Sequence, residues 1–462
     1  MSLSSCNRSL LLLHCLLLAA CANDHGPAEE QTNVMEAGKA YFLSVDASKE
    51  GSATRALSFD ATDKSLSASW ARGEKVYVCD RGNISFDGFI QPLQEGTVAR
   101  LNGSISPSRT LSLPIDLYLL FPRKEWNYTG QKGTLSDIAA NYDYASAPVS
   151  LYELTESAVG AAQTASFSAQ QAMVKFSLCD ASGSPLSASS LRVSARGLVQ
   201  SVSVSHSGAA ATTTGSATYS TDDACGDITI TPTAATPTVW AALRGVESAP
   251  VVSLTADVGG GTYVYRRTTP TTFAQGKPYV ITVKMKPLAE GTALDDVTAD
   301  HVGCVVGQDG KVYTTTAKAA SAGTTAVAMI AYVGSGANPA HGLAIALADE
   351  QGAMTQGAAS DAASQKAPVA GKSWRLPSLK DWQYMLIGCG NGASYSSSPG
   401  EEDCSALCSK LATMGTAINN DGSRYLTSSN LSTLLFTKAT VDLSQSAPFD
   451  VSQYFVRAVL PF

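Results

Sequence analysis

The sequence has 462 residues, with 32 Lys and Arg against 39 Asp and Glu, and a formal net charge of −7. Charged residues make up 15% and apolar residues 44%, a composition that supports buried cores and excludes a disordered chain. The acidic balance disfavours nucleic acid as a partner, because a phosphate backbone requires a basic surface, and five histidines disfavour a histidine-based metal enzyme. A chain of this length predicts about two to four domains.

The amino terminus is predicted to be an export signal. Residues 1–20 contain one cation, Arg8, and an apolar run that is too short to cross ~30 Å of hydrocarbon as a helix. The run ends in Leu-Ala-Ala and is followed by Cys21, an order similar to a bacterial lipobox, in which the cysteine thiol receives a diacylglycerol. The alternative is an ordinary secretory signal that precedes a cysteine by chance. Residues 21–39 are polar, contain Gly and Pro, and are predicted to be a tether between a lipid anchor and the folded protein.

The region 40–163 contains short β-rich runs and no long helical period. YFLSV at 41–45, EKVYV at 74–78 and LYLLF at 117–121 are separated by clusters of Gly, Asn, Ser and Pro. Such runs, with turn signals between them, are typical of an antiparallel β-sandwich.

The region 164–287 alternates more regularly. Val174, Phe176 and Leu178 fall on one face of a predicted strand, and Gly259-Gly260-Gly261 separates two apolar runs in the manner of a hairpin turn. A strand from Tyr279 to Met285 closes the region, which is predicted to be a second antiparallel β-sandwich.

Residues 288–296 are predicted to be a linker to a third domain, 297–462. Pro287 and Gly291 break the preceding strand, and two carboxylates, Asp295 and Asp296, end the segment. In that domain Ser378 is a suitable N-cap for a helix with Leu379, Trp382 and Leu386 on one face. A second helix is predicted from Asp403 to Leu411, so the domain is α+β.

Four stretches of the first 287 residues stand in one order: the Leu-Ala-Ala-Cys of the signal, ATRA at 53–56, SWARGEKVYV at 69–78 and GKPYVITV at 276–283. In that order they resemble the fimbrillin family of Bacteroidetes, the shaft and tip subunits of lipoprotein-derived pili. The resemblance implies two tandem β-sandwich domains, a fimbrial location at the outer membrane, and assembly with other fimbrillin subunits by exchange of a β-strand.

Trp70 and Arg55, both in the first region, each have two possible roles. Trp70, which precedes a strand, is predicted to plug the end of a sandwich rather than to bind a ligand. Arg55 lies in a stretch of small residues suited to an exposed loop, and in some fimbrillins an Arg-specific protease cuts after the first strand. The resemblance therefore implies processing at Arg55, and an ordinary loop arginine is the alternative.

The third domain has its own resemblance. QDGKVY at 308–313, HGLAIAL at 341–347, SWRLPSLKDW at 373–382, YLTSS at 425–429 and VRAV at 456–459 are similar to a C-type-lectin-like module of the kind appended to Bacteroidetes surface lipoproteins. The resemblance makes Trp374, Arg375 and Trp382 markers of the fold.

The segment 388–424 falls where lectin-like modules carry their variable ligand loop. Candidate contacts for sugar hydroxyls in this segment are amides, a carboxylate and an aromatic ring: Asn391, Tyr395, Asn419, Asn420 and Asp421. The sequence lacks the Glu-Pro-Asn and Trp-Asn-Asp triplets of calcium-dependent lectins, which disfavours calcium-mediated binding. Residues 419–422 also have the composition of a plain turn.

Catalytic and metal motifs are not found. Gly-x-Ser-x-Gly, His-Glu-x-x-His and Walker patterns are absent, so neither an enzyme nor a cofactor is predicted. Beyond Cys21 the predicted mature chain has seven cysteines, an odd number: Cys79, Cys179, Cys225, Cys304, Cys389, Cys404 and Cys408. A zinc site at Cys389, Cys404 and Cys408 would lack a fourth ligand. In an exported protein a disulfide from Cys389 to Cys404 or Cys408 is favoured instead.

The leading hypothesis is a structural and adhesive subunit of a surface fimbria, a tip or accessory adhesin that contacts a host or bacterial surface protein or glycan. A tip position is favoured because the strand at 279–285 is followed by a further domain and is not free to leave. The alternative is a monomeric surface glycan-binding lipoprotein that uses the sandwiches as spacers.

Overall fold

The computed structural model describes residues 33–50, 58–60, 62, 65–205, 218–219, 224–335, 341–350, 354–392, 394–397, 399–419, 421–428, 433–437, 440–444 and 454–462. The chain is mainly β, as predicted. The 117–121 and 174–178 runs lie in strands as expected, while the first predicted strand extends further, to Glu50.

Among its described residues the amino-terminal part contains thirteen strands and one helix. They are β1 (Val34–Met35), β2 (Tyr41–Glu50), β3 (Ser58–Asp60), β4 (Ser65–Ser67), β5 (Tyr77–Val78), β6 (Phe86–Pro92), β7 (Val98–Pro107), β8 (Leu111–Ser112), β9 (Ile115–Phe121), β10 (Glu125–Asn127), α1 (Leu135–Asn141), β11 (Ala145–Leu154), β12 (Ala158–Ala161) and β13 (Ala165–Ala169). The main sheet has the order β5-β9-β11-β12-β2-β7-β6, and β13 pairs with both β11 and β2. The smaller pairs are β1 with β8 and β3 with β4.

The middle part consists of strands alone among its described residues. They are β14 (Gln171–Cys179), β15 (Ser190–Ala195), β16 (Val199–Ser205), β17 (Thr218–Tyr219), β18 (Ala224–Cys225), β19 (Ile228–Ile230), β20 (Thr238–Arg244), β21 (Val246–Ala249), β22 (Val252–Val258), β23 (Gly261–Arg267), β24 (Thr271–Phe273), β25 (Pro278–Lys284) and β26 (Lys286–Leu288). One sheet has the order β20-β14-β25, another β19-β15-β22-β23-β26, and β21 pairs with β24. The predicted hairpin joins β22 to β23, and Gly259 and Gly260 both have positive φ, which a two-residue turn of this hand requires.

The two parts share a feature that the sequence analysis did not foresee. In each, the first strand of the main sheet pairs in parallel with the last: β2 with β12 and β13, and β14 with β25. On its other side each first strand has an antiparallel neighbour, β7 or β20. The expectation of purely antiparallel sandwiches was therefore wrong in this detail, because strand alternation predicts burial and says nothing about the direction of the neighbour.

The first two cores do not divide at a simple point of the sequence. One core lies between Met35 and Ala169. The second is built mostly from residues 172–285, and it also contains Trp126, Tyr128 and Tyr144. Strand β10 accordingly pairs with β16. The boundary at 163–164 stays a prediction.

The carboxy-terminal part is α+β. Its elements are β27 (Thr292–Ala293), two 3₁₀ helices (Leu294–Asp296 and Ala299–His301), β28 (Val305–Gly307), β29 (Lys311–Tyr313), α2 (Thr316–Ser321), β30 (Ala326–Val333), β31 (Gly342–Ala346), α3 (Gln356–Ser364), α4 (Leu379–Cys389), β32 (Glu401–Asp403), α5 (Ser405–Ala412), β33 (Ser423–Leu426), β34 (Thr433–Thr437), β35 (Thr440–Asp442) and β36 (Val459–Pro461). A six-stranded sheet has the order β27-β29-β28-β30-β31-β36, and a four-stranded sheet has the order β32-β35-β34-β33.

The six-stranded sheet is buried on both faces. Met329 and Leu343 face a core that contains α4 and α5, whereas Ile330 and Ala344 face a second core that contains Trp374. This arrangement explains why β31 is an unbroken apolar run rather than an alternating one.

Helix α4 begins where the sequence predicts. Ser378 Oγ accepts a hydrogen bond from the backbone N–H of Asp381, and the Asp381 carboxylate accepts one from the backbone N–H of Ser378. Arg375 donates to both oxygens of that carboxylate at 2.6 and 2.9 Å. Trp374 and Trp382 are buried, so these residues are structural, as predicted.

Residues 288–296, predicted to be a linker, pack against their surroundings. Leu288 ends β26, Gly291 turns the chain with a positive φ, and Leu294 is buried in the carboxy-terminal part. Hydrogen bonds also join the middle part to the carboxy-terminal part. Arg266 Nη2 donates to the Gly388 carbonyl at 2.6 Å, and the backbone N–H of Asp227 donates to Ser409 Oγ at 2.9 Å.

Candidate functional site

Strand β2 lies in the interior of the large sheet between partners of opposite direction. Residues Tyr41 to Ser48 pair antiparallel with β7, from Ile105 to Val98. On the other side β2 pairs in parallel first with β12, through Phe42 to Ser44, and then with β13, through Ala47 to Glu50. Removal of β2 would leave a groove with a row of unpaired backbone groups on each wall.

Local sequence explains why β2 occupies this position. Tyr41, Leu43, Val45 and Ala47 are all buried, and the side chains between them point away from the core. The period of two that marks a strand with one core face therefore holds along the whole element.

The alternation continues to a cation. Lys49 takes the fifth inward position of β2 and is 5% exposed. Its Nζ donates to Glu74 Oε2 at 3.0 Å and lies 3.7 and 4.0 Å from the ring centroids of Trp70 and Phe121. The ammonium thus sits against one carboxylate and two aromatic faces, an arrangement that we call the lysine box (Lys49, Glu74, Trp70 and Phe121).

The lysine box is built from three separate stretches of the chain. Glu74 Oε2 also accepts a hydrogen bond from the backbone N–H of Ala71 at 3.0 Å, whereas Glu74 Oε1 is buried and has no hydrogen-bond partner among the described residues. Trp70 is held edge-on against Phe121 and Phe167, with ring centroids 5.8 and 5.2 Å apart. Trp70 is therefore a core residue, as predicted, and it additionally contacts the lysine.

A second buried carboxyl group lies near the box. Burial raises the pKa of Asp143 well above its usual value, the Lys49 charge opposes that rise, and the Glu74 charge adds to it. Asp143 Oδ1 accepts a hydrogen bond from Gln171 Nε2 at 2.9 Å. The raised pKa favours the neutral carboxyl form of Asp143.

The sequence analysis missed Lys49 and Glu74. A lysine near a strand end is usually solvated, and the predicted strand stopped at Val45. The available signal was the register itself, because counting by two from Tyr41 places Lys49 on the inward face. The predicted processing residue Arg55 and the lipidation residue Cys21 both lie outside the described residues.

The four predicted ligand residues that the structure describes have different contacts and surroundings. Asn391 is 1% exposed, and its amide is used internally: Nδ2 donates to Asp403 Oδ1 at 2.7 Å and Oδ1 accepts from the Leu407 N–H at 3.0 Å. Asn391 therefore fixes the start of α5 and offers no free amide to a ligand.

Tyr395 is 45% exposed and belongs to an aromatic surface. Its ring stacks on Tyr384 at 5.6 Å with an interplanar angle of 8°, and Tyr384 contacts Tyr332 at 4.9 Å. Lys380 Nζ lies 5.7 Å from the ring centroids of both Tyr384 and Tyr395. We call these four residues the tyrosine platform. The i, i+4 spacing of Lys380 and Tyr384 on a predicted helix was the signal that could have found it.

Asn419 and Asp421 lie elsewhere. Asn419 Nδ2 is 3.4 Å from Asp349 Oδ2, beyond the carboxyl end of β31, whereas Tyr332 of the tyrosine platform lies beside the start of that strand. Asp421 Oδ1 accepts a hydrogen bond from Ser423 Oγ in a turn. Asn420 lies outside the described residues.

The six cysteines whose side chains are described are free thiols. The predicted bridge from Cys389 is not formed: Cys389 Sγ lies 3.6 Å from the Ala331 carbonyl, and Cys404 and Cys408 face each other with 3.7 Å between their sulfurs. Burial raises the pKa of the Cys389 thiol to about 12. Within the described ranges, no group of three or more Cys, His, Asp or Glu is arranged to hold a metal ion.

No protein-family model matches the sequence, and no curated protein matches it. Solved structures that match include a candidate cell adhesion protein from Bacteroides ovatus, with 13% identity and a TM-score of 0.30 over 54% of this chain and 95% of that chain. A fimbrial protein from the same species matches with 11% identity and a TM-score of 0.24 over 92% and 99% of the two chains. The C-terminally truncated tip fimbrial protein Mfa3 from Porphyromonas gingivalis matches with 10% identity and a TM-score of 0.27 over 54% and 98%. Likenesses of this size carry no inference about function.

In the part of the chain that the structure describes, no helix has both the length and the apolar character needed to cross a bilayer.

Proposed function

We propose that this chain is a non-enzymatic subunit of a cell-surface fimbria and that it joins its neighbour by strand exchange at the groove that β2 fills. The observation that carries the proposal is the placement of β2: an interior strand with four inward apolar side chains, flanked by β7 on one side and by β12 and β13 on the other. A strand supplied by another subunit would find apolar pockets and two rows of backbone partners there.

Release of β2 requires a break in the chain after it. Strand β2 ends at Glu50, five residues before Arg55, so a cut after Arg55 would separate the strand from the rest of the protein. We propose Arg55 as that processing site, which the fimbrillin resemblance implies.

The processing step is tested by determining the amino terminus of the subunit in purified filaments. It is expected at Ala56, and Arg55→Ala is expected to keep the subunit out of filaments. Arg72→Ala, at an exposed arginine in a turn, is the matched control and should assemble normally. Assembled subunits that begin at Cys21 contradict the processing step.

We further propose a tip or accessory position. A subunit that donates a strand must release it without unfolding, yet β25 is held in parallel by β14 and is followed by the carboxy-terminal part. Strand β36 pairs with β31, and all its residues are buried. The chain would thus accept a strand and not donate one, so immunogold labelling should mark one end of each filament. Label distributed along the filament contradicts this position.

Anchoring is proposed through a lipid on Cys21 after removal of residues 1–20, which places the chain at the outer membrane before assembly. The carboxy-terminal part, with its lectin-like resemblance, would then face outward to a surface protein or glycan.

A second candidate function is a monomeric surface lipoprotein that captures glycans. The tyrosine platform favours it, because the exposed ring of Tyr395, stacked on the half-buried ring of Tyr384, suits the apolar face of a sugar. This function predicts polysaccharide binding that Tyr395→Ala abolishes and that Asn419→Ala leaves intact, together with a chain that does not enter filaments. Filament incorporation of the wild-type chain contradicts the monomeric function.

A further inference from the structure

The lysine box is unusual for an inward position of a β-sheet. Four inward side chains of β2 are apolar, and the fifth is an ammonium whose side chain and partner carboxylate are essentially inaccessible to water. Burying a charge is costly unless it is paired, so the box holds Lys49 only because Glu74 and two aromatic faces are already positioned there.

The other members of the box do not belong to β2. Trp70 and Glu74 precede β5, and Phe121 ends β9, so they stay with the body of the domain when β2 departs. Glu74 would then keep the Ala71 N–H as its hydrogen-bond donor, and its Oε1 has no partner in the part of the chain that the structure describes. The empty groove would present a carboxylate and two ring faces at one defined depth.

From this geometry we infer that the groove selects an incoming strand that carries a lysine at its fifth inward position, after four apolar inward side chains. The inference rests on the proposed exchange function. A strand with an apolar fifth residue would seal the Glu74 carboxylate away from water without a counter-charge, whereas a lysine restores the ion pair and the ring contacts. The partner is thus another subunit whose strand resembles Tyr-x-Leu-x-Val-x-Ala-x-Lys, with apolar residues at the first four inward positions and a lysine at the fifth.

The experiment uses the full chain with an endoprotease recognition sequence placed within residues 51–57. Cleavage of the folded protein leaves β2 bound without a covalent link to the body. Excess synthetic peptides that span residues 33–50 are then added, and displacement of the native β2 fragment is followed by mass spectrometry. The peptides carry Lys49, norleucine in place of Lys49, or Asn in place of the outward-facing Asp46 as the control for peptide charge.

The Lys49 and Asp46→Asn peptides are expected to exchange with similar affinity, and the norleucine peptide at least about 100-fold more weakly. In a Glu74→Gln body the order should reverse, with the norleucine peptide bound more tightly than the lysine peptide, because the buried ammonium would then lack its counter-charge. Equal binding of the lysine and norleucine peptides to the unmodified body overturns the selection and leaves strand exchange standing. No displacement by any peptide overturns strand exchange itself, and the selection with it.

Discussion

Glu74→Gln tests the physical basis of the lysine box. The substitution keeps the shape of the side chain and its acceptor for the Ala71 N–H, and it removes the charge that faces Lys49 at 3.0 Å. Loss of one partner from a buried ion pair typically costs about 3–5 kcal/mol, since the other charge stays buried and unpaired. Strand β2 should therefore be held much less tightly.

The same strand supplies a matched control. Asp46, on the outward face of β2, pairs with Arg100 at 2.9 Å, and the two side chains are 51% and 59% exposed. An exposed pair of this kind contributes at most about 1 kcal/mol, because water and salt screen it. Asp46→Asn thus removes a carboxylate from an ion pair of β2 at low cost.

Amide hydrogen exchange of residues 43–47 measures the opening of β2 in the intact protein. In the regime where exchange follows the opening equilibrium, Glu74→Gln should accelerate it about 150- to 5,000-fold and Asp46→Asn by about fivefold or less. The double variant Lys49→Met/Glu74→Gln should exchange more slowly than Glu74→Gln alone, because no unpaired charge remains. Equal acceleration by Glu74→Gln and Asp46→Asn would refute the reasoning.

Four further predictions concern other positions. Because the pKa of Asp143 is raised in the folded chain, the unfolded chain releases a proton that the folded chain keeps, and this carboxyl group destabilises the fold increasingly as the pH rises above 3.8. Asp143→Asn should therefore raise the urea midpoint of unfolding at pH 7 and leave it unchanged at pH 3. An equal shift of the midpoint at both pH values would contradict this. Gly388→Ala should lower the melting temperature of the carboxy-terminal part by several degrees, because a Cβ would overlap the Ala331 carbonyl oxygen, and an unchanged value would show that α4 can move. Arg375→Lys should lower the unfolding free energy of the carboxy-terminal part by about 1–3 kcal/mol, because the bidentate contact with the Asp381 carboxylate is lost. Urea denaturation measures this loss, and an unchanged free energy would show that the contact is dispensable. Cys21→Ser should abolish metabolic lipid labelling, and label that persists would refute lipidation at this cysteine.

Local patterns in the sequence determined much of the secondary structure. The 174–178 run, the glycine hairpin at 259–261 and the capped helix after Ser378 were predictable because alternation, turn residues and caps act over a few residues. The structural role of Trp70 followed from the same short-range signals, whereas that of Trp382 was implied by the resemblance of the third domain.

The tertiary structure decided what the functional candidates contact. That β2 runs parallel to β12 and β13, and that Glu74 lies beside Lys49, depend on contacts between residues 25 or more positions apart, which no local pattern specifies. The buried amide of Asn391 and the exposed ring of Tyr395 were indistinguishable in sequence, because both lie in one segment rich in Gly and Ser. Burial and charge pairing are properties of the packed chain, and they made a lysine in a predicted β-region the most informative residue of the groove.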